Sequence, residues 1–140
     1  MVSFTCDEKM KLITRDTDYA VRALCQIARN KNRVTSVHEL VDELKMPRPF
    51  LRKILQRLNK EGLLKSFKGK NGGFILALPA EKIYLVDLIK AFQGPIKVNE
   101  CVLRKNLCPD TNVCILRQKI SGIEKQVVSQ LKTINITSLM

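Results

Sequence analysis

A break between two short amphipathic helices constrains this chain more than any other feature of its sequence. Residues 36–45 predict a helix that opens with a capping box, because the Ser36 hydroxyl can accept a hydrogen bond from the backbone N–H of Glu39 while the Glu39 carboxylate reaches back. Pro47 and Pro49 then interrupt the pattern, since proline cannot continue a helix but is tolerated in the first turn of a new one. The sequence therefore predicts two helices joined by a tight turn.

The second of these helices is predicted to end at the capping residue Gly62 and to precede a β-hairpin. Its apolar side chains repeat at helical spacing and are Phe50, Leu51, Ile54, Leu55 and Leu58. Residues 63–68 and 74–78 are short β-prone runs. The glycine-rich sequence between them contains Asn71-Gly72, a strong hairpin signal. A helix, a turn, a helix and a hairpin are thus expected in that order.

Further helices are predicted on both sides of this unit. Residues 16–29 and about 83–92 have helical periodicity. A long apolar stripe follows at Leu116, Ile120, Ile123, Val127, Leu131 and Ile134. Leaving it in water would forgo several kcal/mol, so the stripe covers either a twin helix of a second copy, which we favour, or the chain's own core. Asp18, Val21 and Cys25 gather on a second face of the first helix, where we expect a partner subunit.

Positive charge is concentrated on the central unit. The protein has a formal net charge of +12, and residues 45–70 contain nine Lys and Arg against one acidic residue, Glu61. The order of helix, short turn, basic helix and basic hairpin is typical of a winged helix-turn-helix, whose second helix enters the major groove of DNA. We therefore expect a mainly α fold with a small β-hairpin, in which a winged helix-turn-helix domain is followed by a long C-terminal dimerisation helix.

The winged-helix interpretation predicts contacts with double-stranded DNA. Arg48, Arg52 and Gln56 are the expected base readers, because Arg suits guanine and Gln suits adenine. The expected phosphate contacts are basic side chains of the same helix and of the hairpin, namely Lys53, Lys60, Lys65, Lys68 and Lys70. Pro49 at the helix start and Asn71 at the hairpin tip are also expected to contact DNA. The alternative interpretation of this charge is a solvated surface with no ligand.

Three of the five cysteines form a second candidate site. Cys101, Cys108 and Cys114, here called the cysteine triplet, fall within fourteen residues in a stretch rich in Pro, Asn and Asp, which predicts an irregular loop before a helix. The spacing differs from the paired clips of structural zinc, and thiolates suit iron–sulfur clusters. The spacing leaves open a metal or cluster site, a thiol redox switch, and three ordinary cysteines. Cys6 and Cys25 stand apart, and Cys25 is expected to be a buried structural thiol.

Several strings of residues together resemble one protein family. They are Thr17-Asp18-Tyr19-Ala20-Val21-Arg22-Ala23-Leu24, Pro49-Phe50-Leu51, Gly62-Leu63 and Gly69-Lys70-Asn71-Gly72-Gly73-Phe74, followed by the cysteine triplet. From Met10 to about Ile134 the chain resembles the IscR/NsrR type of bacterial winged-helix regulator. The resemblance implies a homodimer built on the long C-terminal helix, with residues 47–60 as the recognition helix and residues 63–78 as the wing.

The same resemblance implies an iron–sulfur cluster, 2Fe-2S or 4Fe-4S, with the cysteine triplet as ligands. Members similar to the iron–sulfur cluster regulator place a histidine three residues after the last cysteine, where this chain has Arg117. Other members use an acidic side chain from the first helix of the other subunit, and Asp18 stands at that motif position. We therefore expect Asp18 as the fourth ligand, with stabilisation of its helix dipole as the alternative role. His38, the only histidine, is expected at the solvated edge of the core.

These observations predict an organisation in four parts. Residues 1–9 form an N-terminal extension, residues 10–92 the winged-helix domain, residues 93–111 the cluster-binding loop, and residues 112–140 the dimerisation helix and tail. We interpret the chain as a transcriptional regulator whose operator affinity depends on a cluster that senses iron, redox state or nitric oxide. The alternatives are a metal-free winged-helix regulator switched by cysteine thiols or a protein partner, and a basic RNA-binding winged-helix protein.

Catalysis and membrane contact are not expected. No acid–base pair or nucleophile constellation accompanies the cysteines, so an iron–sulfur enzyme lacks support. No apolar run approaches the ~18 residues of a membrane span, and the first residues lack the core of a signal peptide. We expect a cytoplasmic protein.

Overall fold

The structure is a computed structural model that describes residues 11–31, 33–97 and 115–140. The described residues form five α-helices and one antiparallel hairpin: α1 (Arg15–Arg29), α2 (Val37–Leu44), α3 (Arg48–Lys60), β1 (Leu64–Phe67), β2 (Gly73–Leu76), α4 (Leu85–Gln93) and α5 (Ile115–Leu131). Short 3-10 turns at Ala80–Lys82 and Thr137–Leu139 complete them. The expectations for residues 1–9 and for the cysteine triplet, Cys101, Cys108 and Cys114, lie outside the described residues. The mainly helical fold with a small hairpin is confirmed.

Local sequence signals explain where α2 and α3 begin and end. The predicted capping box is present, because the Ser36 hydroxyl accepts from the N–H of Glu39 at 3.1 Å and the Glu39 carboxylate accepts from the N–H of Ser36 at 2.9 Å. At the other end of the unit Gly62 has a φ of 80°, and the N–H of Leu63 bonds the carbonyl of Leu58 at 3.0 Å. This geometry is a Schellman ending, which a glycine accepts without strain.

The main core lies between α1, α2 and α3. Its fully buried leucines come from all three helices and are Leu24, Leu40, Leu51, Leu55 and Leu58. The predicted apolar stripe of α3 is thus the buried face, except that Phe50 is half-buried and meets the ring of Tyr19 edge-on at 5.3 Å between centroids. Burial of one face leaves the opposite face of α3 in solvent.

The predicted hairpin is present, with two strands of four residues each. Strand β1 pairs with β2 from Leu64 opposite Leu76 to Phe67 opposite Gly73, which leaves a five-residue loop. Within the loop the N–H of Gly72 bonds the carbonyl of Gly69 at 3.0 Å, and Gly69 has the left-handed φ of 104°. Asn71 therefore lies inside a wider turn rather than in the two-residue turn that Asn-Gly favours.

The chain after α5 returns to the winged-helix domain. The carbonyl of Ile134 accepts from the N–H of Leu85 at 2.9 Å, and the N–H of Ile136 donates to the carbonyl of Ile83 at 3.0 Å. Ile136 is fully buried in the main core. Residues that were expected to belong to a C-terminal tail thus complete the core of the domain, because the pairing with residues 83–85 inserts an apolar side chain there.

The apolar stripe of α5 is divided between two environments. Leu131 is buried against the side chains of α4, whereas Leu116 and Ile123 are 66% and 48% exposed. The C-terminal end of the stripe therefore covers the chain's own core, as one of the two alternatives predicted. The N-terminal end is exposed, which leaves it free for the other alternative, a second copy of the helix. No helix of the described residues is long and apolar enough to cross a bilayer.

The second face of α1 is partly covered by the same chain. The Cys25 thiol is buried, with its Sγ 4.0 Å from the carbonyl of Leu139, and this burial raises the pKa of the thiol. Val21 packs against the side chains of α4 and α5. Of the three residues expected to face a partner subunit, Cys25 is buried, Val21 is partly buried, and the Asp18 side chain is 45% accessible to solvent.

Candidate nucleic-acid interface

A cleft of about 410 Å³ lies between α3 and the wing. Arg52 and Gln56 line it from α3, and Lys68 lines it from the loop of the hairpin. The three side chains combine two cations with an amide, which can both donate and accept hydrogen bonds. This interface cleft therefore brings together two of the three predicted base readers and one predicted phosphate contact.

All of the predicted DNA contacts are on the surface. The exposed set is Arg48, Pro49, Arg52, Lys53, Gln56, Lys60, Lys65, Lys68, Lys70 and Asn71. Within the described part of the chain, none of the cations in this set forms an ion pair with a carboxylate. Unpaired cations on one surface are what the phosphates of a nucleic acid attract, because binding releases their counterions.

Two of the positive charges in the basic stretch have partners within the protein. Arg57 donates from Nη2 to the carbonyl of Ala91 at 2.8 Å and pairs through Nε with Glu61 at 3.2 Å. Arg48, the third predicted base reader, lies outside the cleft and donates to Nδ1 of His38 at 3.3 Å. The His38 side chain is 72% exposed, in agreement with its expected solvated position.

The cleft also contains residues that were not predicted to contact DNA, among them Asn59, Ser66 and Phe67. Asn59 lines it from α3, and Ser66 and Phe67 line it from β1. Asn59 could have been found, because it stands three residues after Gln56 and so lies on the same helical face. No sequence signal marked Phe67, whose ring is 47% exposed.

The wing is attached to the turn before α2. The N–H and the carbonyl of Thr35 bond the carbonyl and the N–H of Phe74 at 2.9 and 2.8 Å. Thr35 is fully buried, and its hydroxyl accepts from Nδ2 of Asn30 at 2.8 Å. A Cβ at Gly73 would collide with the carbonyl oxygen of Thr35. The close approach of these backbones fixes the wing beside α3 and requires glycine at position 73.

The candidate metal site lies mostly outside the described residues. Among residues 11–31, 33–97 and 115–140, no three His, Cys, Asp or Glu side chains form a group that could hold a metal ion. Asp18, the predicted fourth ligand, accepts at Oδ2 from Nε of Arg22 at 3.0 Å on the surface of α1. An exposed pair of this kind contributes little to stability, so the carboxylate can exchange its partner.

Comparison with known proteins agrees with the fold and the interface. The sequence model of the Rrf2 family, described as an iron-dependent transcriptional regulator, matches residues 13–140. A protein of Aquifex aeolicus that carries the name HTH-type transcriptional regulator is 36% identical over 124 residues, which cover 87% of this chain and 86% of the relative.

Two solved structures have the same fold. CymR, the global cysteine regulator of B. subtilis, superimposes with a TM-score of 0.77 at 22% identity, covering 93% of this chain and 96% of that protein. IscR of T. potens superimposes with a TM-score of 0.70 at 22% identity, covering 93% and 85%. The match over nearly the whole length and the shared winged-helix architecture lead to one conclusion: this chain belongs to the Rrf2 family of transcriptional regulators.

Proposed function

We propose that this protein binds double-stranded operator DNA through the interface cleft and the surrounding cations. The observation that carries the proposal is the exposed set of Lys and Arg side chains on α3 and the wing other than Arg57, none of which has a carboxylate partner among the described residues. In a winged helix, α3 lies in the major groove and its side chains meet base edges. Arg52 and Gln56 read bases in this arrangement, and Lys68 binds a phosphate at the adjacent backbone.

We further propose that an iron–sulfur cluster controls operator affinity. Three thiolates within fourteen residues, Cys101, Cys108 and Cys114, are the donor set that such clusters prefer. The Rrf2 family is described as iron-dependent, which supports iron as the metal. When bound, the cluster would supply a centre whose loss or reaction alters the protein around it. Asp18, from α1 of the other subunit of a dimer, would complete the ligand set.

The cluster is tested by absorption spectroscopy. Anaerobically purified protein is expected to show visible sulfur-to-iron charge-transfer bands that Cys101→Ala abolishes. The matched control is Cys25→Ala, which removes the buried thiol of α1 and is expected to keep the bands. A protein that stays colourless after reconstitution with iron and sulfide would refute the cluster.

The operator is defined by selection from a library of random duplexes with the reconstituted protein. A palindromic duplex that binds far more tightly than a random duplex supports the DNA proposal, since a two-fold dimer reads two half-sites. Equal or tighter binding of a hairpin RNA of the same length would instead indicate an RNA-binding protein.

A second candidate is a regulator of this fold that is switched by its thiols without a metal. It is supported by the similarity to CymR, the global cysteine regulator of B. subtilis. In this case the cysteine triplet would respond to oxidants in the absence of iron. Operator affinity that changes on oxidation and reduction of metal-free protein would favour this candidate over the cluster.

A further inference from the structure

The end of α4 is tied to the start of α1 by a single side chain. Gln93, the last residue of α4, accepts at Oε1 from the N–H of Thr14 at 2.9 Å and from the hydroxyl of Thr17 at 2.7 Å. Its Nε2 donates to the carbonyl of Leu12 at 3.1 Å. Thr17 is fully buried. Because buried polar groups need partners, loss of this amide would leave the N–H of Thr14 and the hydroxyl of Thr17 without this acceptor.

The same turn of α4 is tied to α3. The carbonyl of Ala91 lacks a donor within its helix, because α4 ends at Gln93 and the residue four positions after Ala91 is Pro95, which has no N–H. Arg57 supplies the missing donor at 2.8 Å. Although Arg57 belongs to the basic stretch, its guanidinium holds two helices together.

We propose that Arg57 and Gln93 are positioning residues: through the last turn of α4 they hold α3 in a fixed relation to α1, and so support operator selectivity without contacting DNA. The chain continues from this turn through Gly94 and Pro95 toward the cysteine triplet. A change in that segment would therefore reach α3 through Arg57 and α1 through Gln93. This regulatory step rests on the proposed cluster function, whereas the positioning step needs only DNA binding.

The positioning step is tested with Arg57→Met, which keeps the aliphatic stem and removes the guanidinium. Dissociation constants are measured for the selected operator duplex and for a random duplex at several salt concentrations, well below the melting temperature. We expect operator affinity to fall about tenfold, random-duplex affinity to change by less than about twofold, and the salt dependence to stay the same. If Arg57→Met lacks a cooperative unfolding transition, Arg57→Gln, whose shorter amide does not span to Ala91, takes its place.

The matched control is Glu61→Gln. It removes the ion pair of Arg57 but leaves the hydrogen bond to Ala91, so operator selectivity should be retained. Equal losses on both duplexes in Arg57→Met, with a salt slope lower by about one, would mean that Arg57 contacts phosphate and would overturn the proposal. Unchanged binding of both duplexes would overturn it as well.

The regulatory step is tested by removing iron from reconstituted protein with a chelator. Wild type should change its operator affinity, and Arg57→Met should change it less. A wild type that does not respond to the chelator would contradict the cluster function and leave the duplex comparison as the test of positioning. If the operator affinity of Arg57→Met changes as much as that of wild type when iron is removed, the regulatory step through Arg57 is wrong.

Discussion

Arg52 and Lys68 line the same cleft but belong to different elements, and we therefore expect them to have different roles in DNA recognition. Arg52 projects from the exposed face of α3, which enters the major groove in a winged helix. Lys68 follows β1 in the loop of the wing. A planar guanidinium can bind a base edge through two hydrogen bonds, whereas an ammonium acts on phosphate as a point charge.

We therefore expect Arg52→Ala to cost ~1–3 kcal/mol of binding free energy for the operator and to relax the preference at one base position. Lys68→Ala should weaken all duplexes alike and lower the salt dependence. Titrations of the operator, of singly substituted operators and of a random duplex measure both effects. If the two variants lose the same binding free energy on every duplex, the proposed division of roles between Arg52 and Lys68 is wrong.

The sequence pattern of α3 predicted the positions of some side chains at this site but not the contact made by Arg57. Helical phase was sufficient to place Arg52 and Gln56 on the exposed face of α3, because one buried stripe fixes the orientation of the whole helix. Phase could not show that Arg57 bonds the carbonyl of Ala91, since that contact joins residues 34 positions apart. Contacts of this kind depend on how helices pack, which no local pattern records.

At the scale of elements, α2 is a short helix stabilised by its N-terminal cap. Ser36→Ala should lower the free energy of unfolding by ~1 kcal/mol, because the N–H of Glu39 loses its acceptor.

Hydrogen bonding to the backbone N–H of Ser36, with the nearby charge of Arg33, lowers the pKa of Glu39 below its ordinary 4.5. Its stabilising effect is thus fully present above pH 4.5 and is lost as the pH falls through the lowered pKa.

Thermal or urea unfolding across this pH range checks both statements. Glu39→Gln should remove the pH dependence of stability that comes from Glu39, because the amide of Gln does not titrate. An unchanged pH dependence in this variant would assign it to other carboxyl groups.

The wing depends on the close approach of β2 to Thr35. Gly73→Ala should destabilise the protein by ~1–3 kcal/mol, because its Cβ meets a backbone carbonyl that cannot rotate away. Operator affinity should fall as well, since the wing is displaced. The matched control is Gly122→Ala in α5, where nothing lies within 4 Å of the added Cβ, and which should stabilise the helix by up to ~1 kcal/mol. Equal effects of the two substitutions on unfolding would contradict the role of Gly73.

The elements themselves followed well from the sequence. Caps, prolines and periodicity act over a few residues, and they predicted α1, α2, α3, α4 and the hairpin. The pairing of Thr35 with Phe74 had no such signal, because a bridge of one residue has no alternation to detect. In the hairpin loop the left-handed residue is Gly69, although Asn71-Gly72 was the hairpin signal in the sequence.

For the whole molecule, the C-terminal segment after α5 is a part of the winged-helix core. Ile136→Ala should cost ~2–5 kcal/mol of unfolding free energy, since it opens a cavity among fully buried side chains. Leu139→Ala is the comparison, because Leu139 is 40% exposed and should cost much less. Denaturant unfolding of both variants gives the difference. A small loss for Ile136→Ala would mean that the segment is only loosely attached.

We expect the open end of the α5 stripe to determine whether two copies of the protein associate. Leu116 and Ile123 present a large apolar surface, and burying it against a second α5 would remove that surface from water. Sedimentation analysis should therefore give a dimer for wild type and a monomer for Leu116→Glu or Ile123→Glu. Gln118→Glu on the same helix adds the same charge at an exposed polar site and should remain a dimer. A monomeric wild type would refute the association.

The return of residues 134–136 to the domain also has a consequence for synthesis of the protein. A ribosome delivers the DNA-binding helices long before Ile136, so a nascent chain has α3 but lacks one fully buried side chain of its core. The core of the domain can therefore be packed completely only after translation has passed position 136. Chains that stop before position 136 should consequently be less stable than the full chain, because they lack the side chain that fills this part of the core.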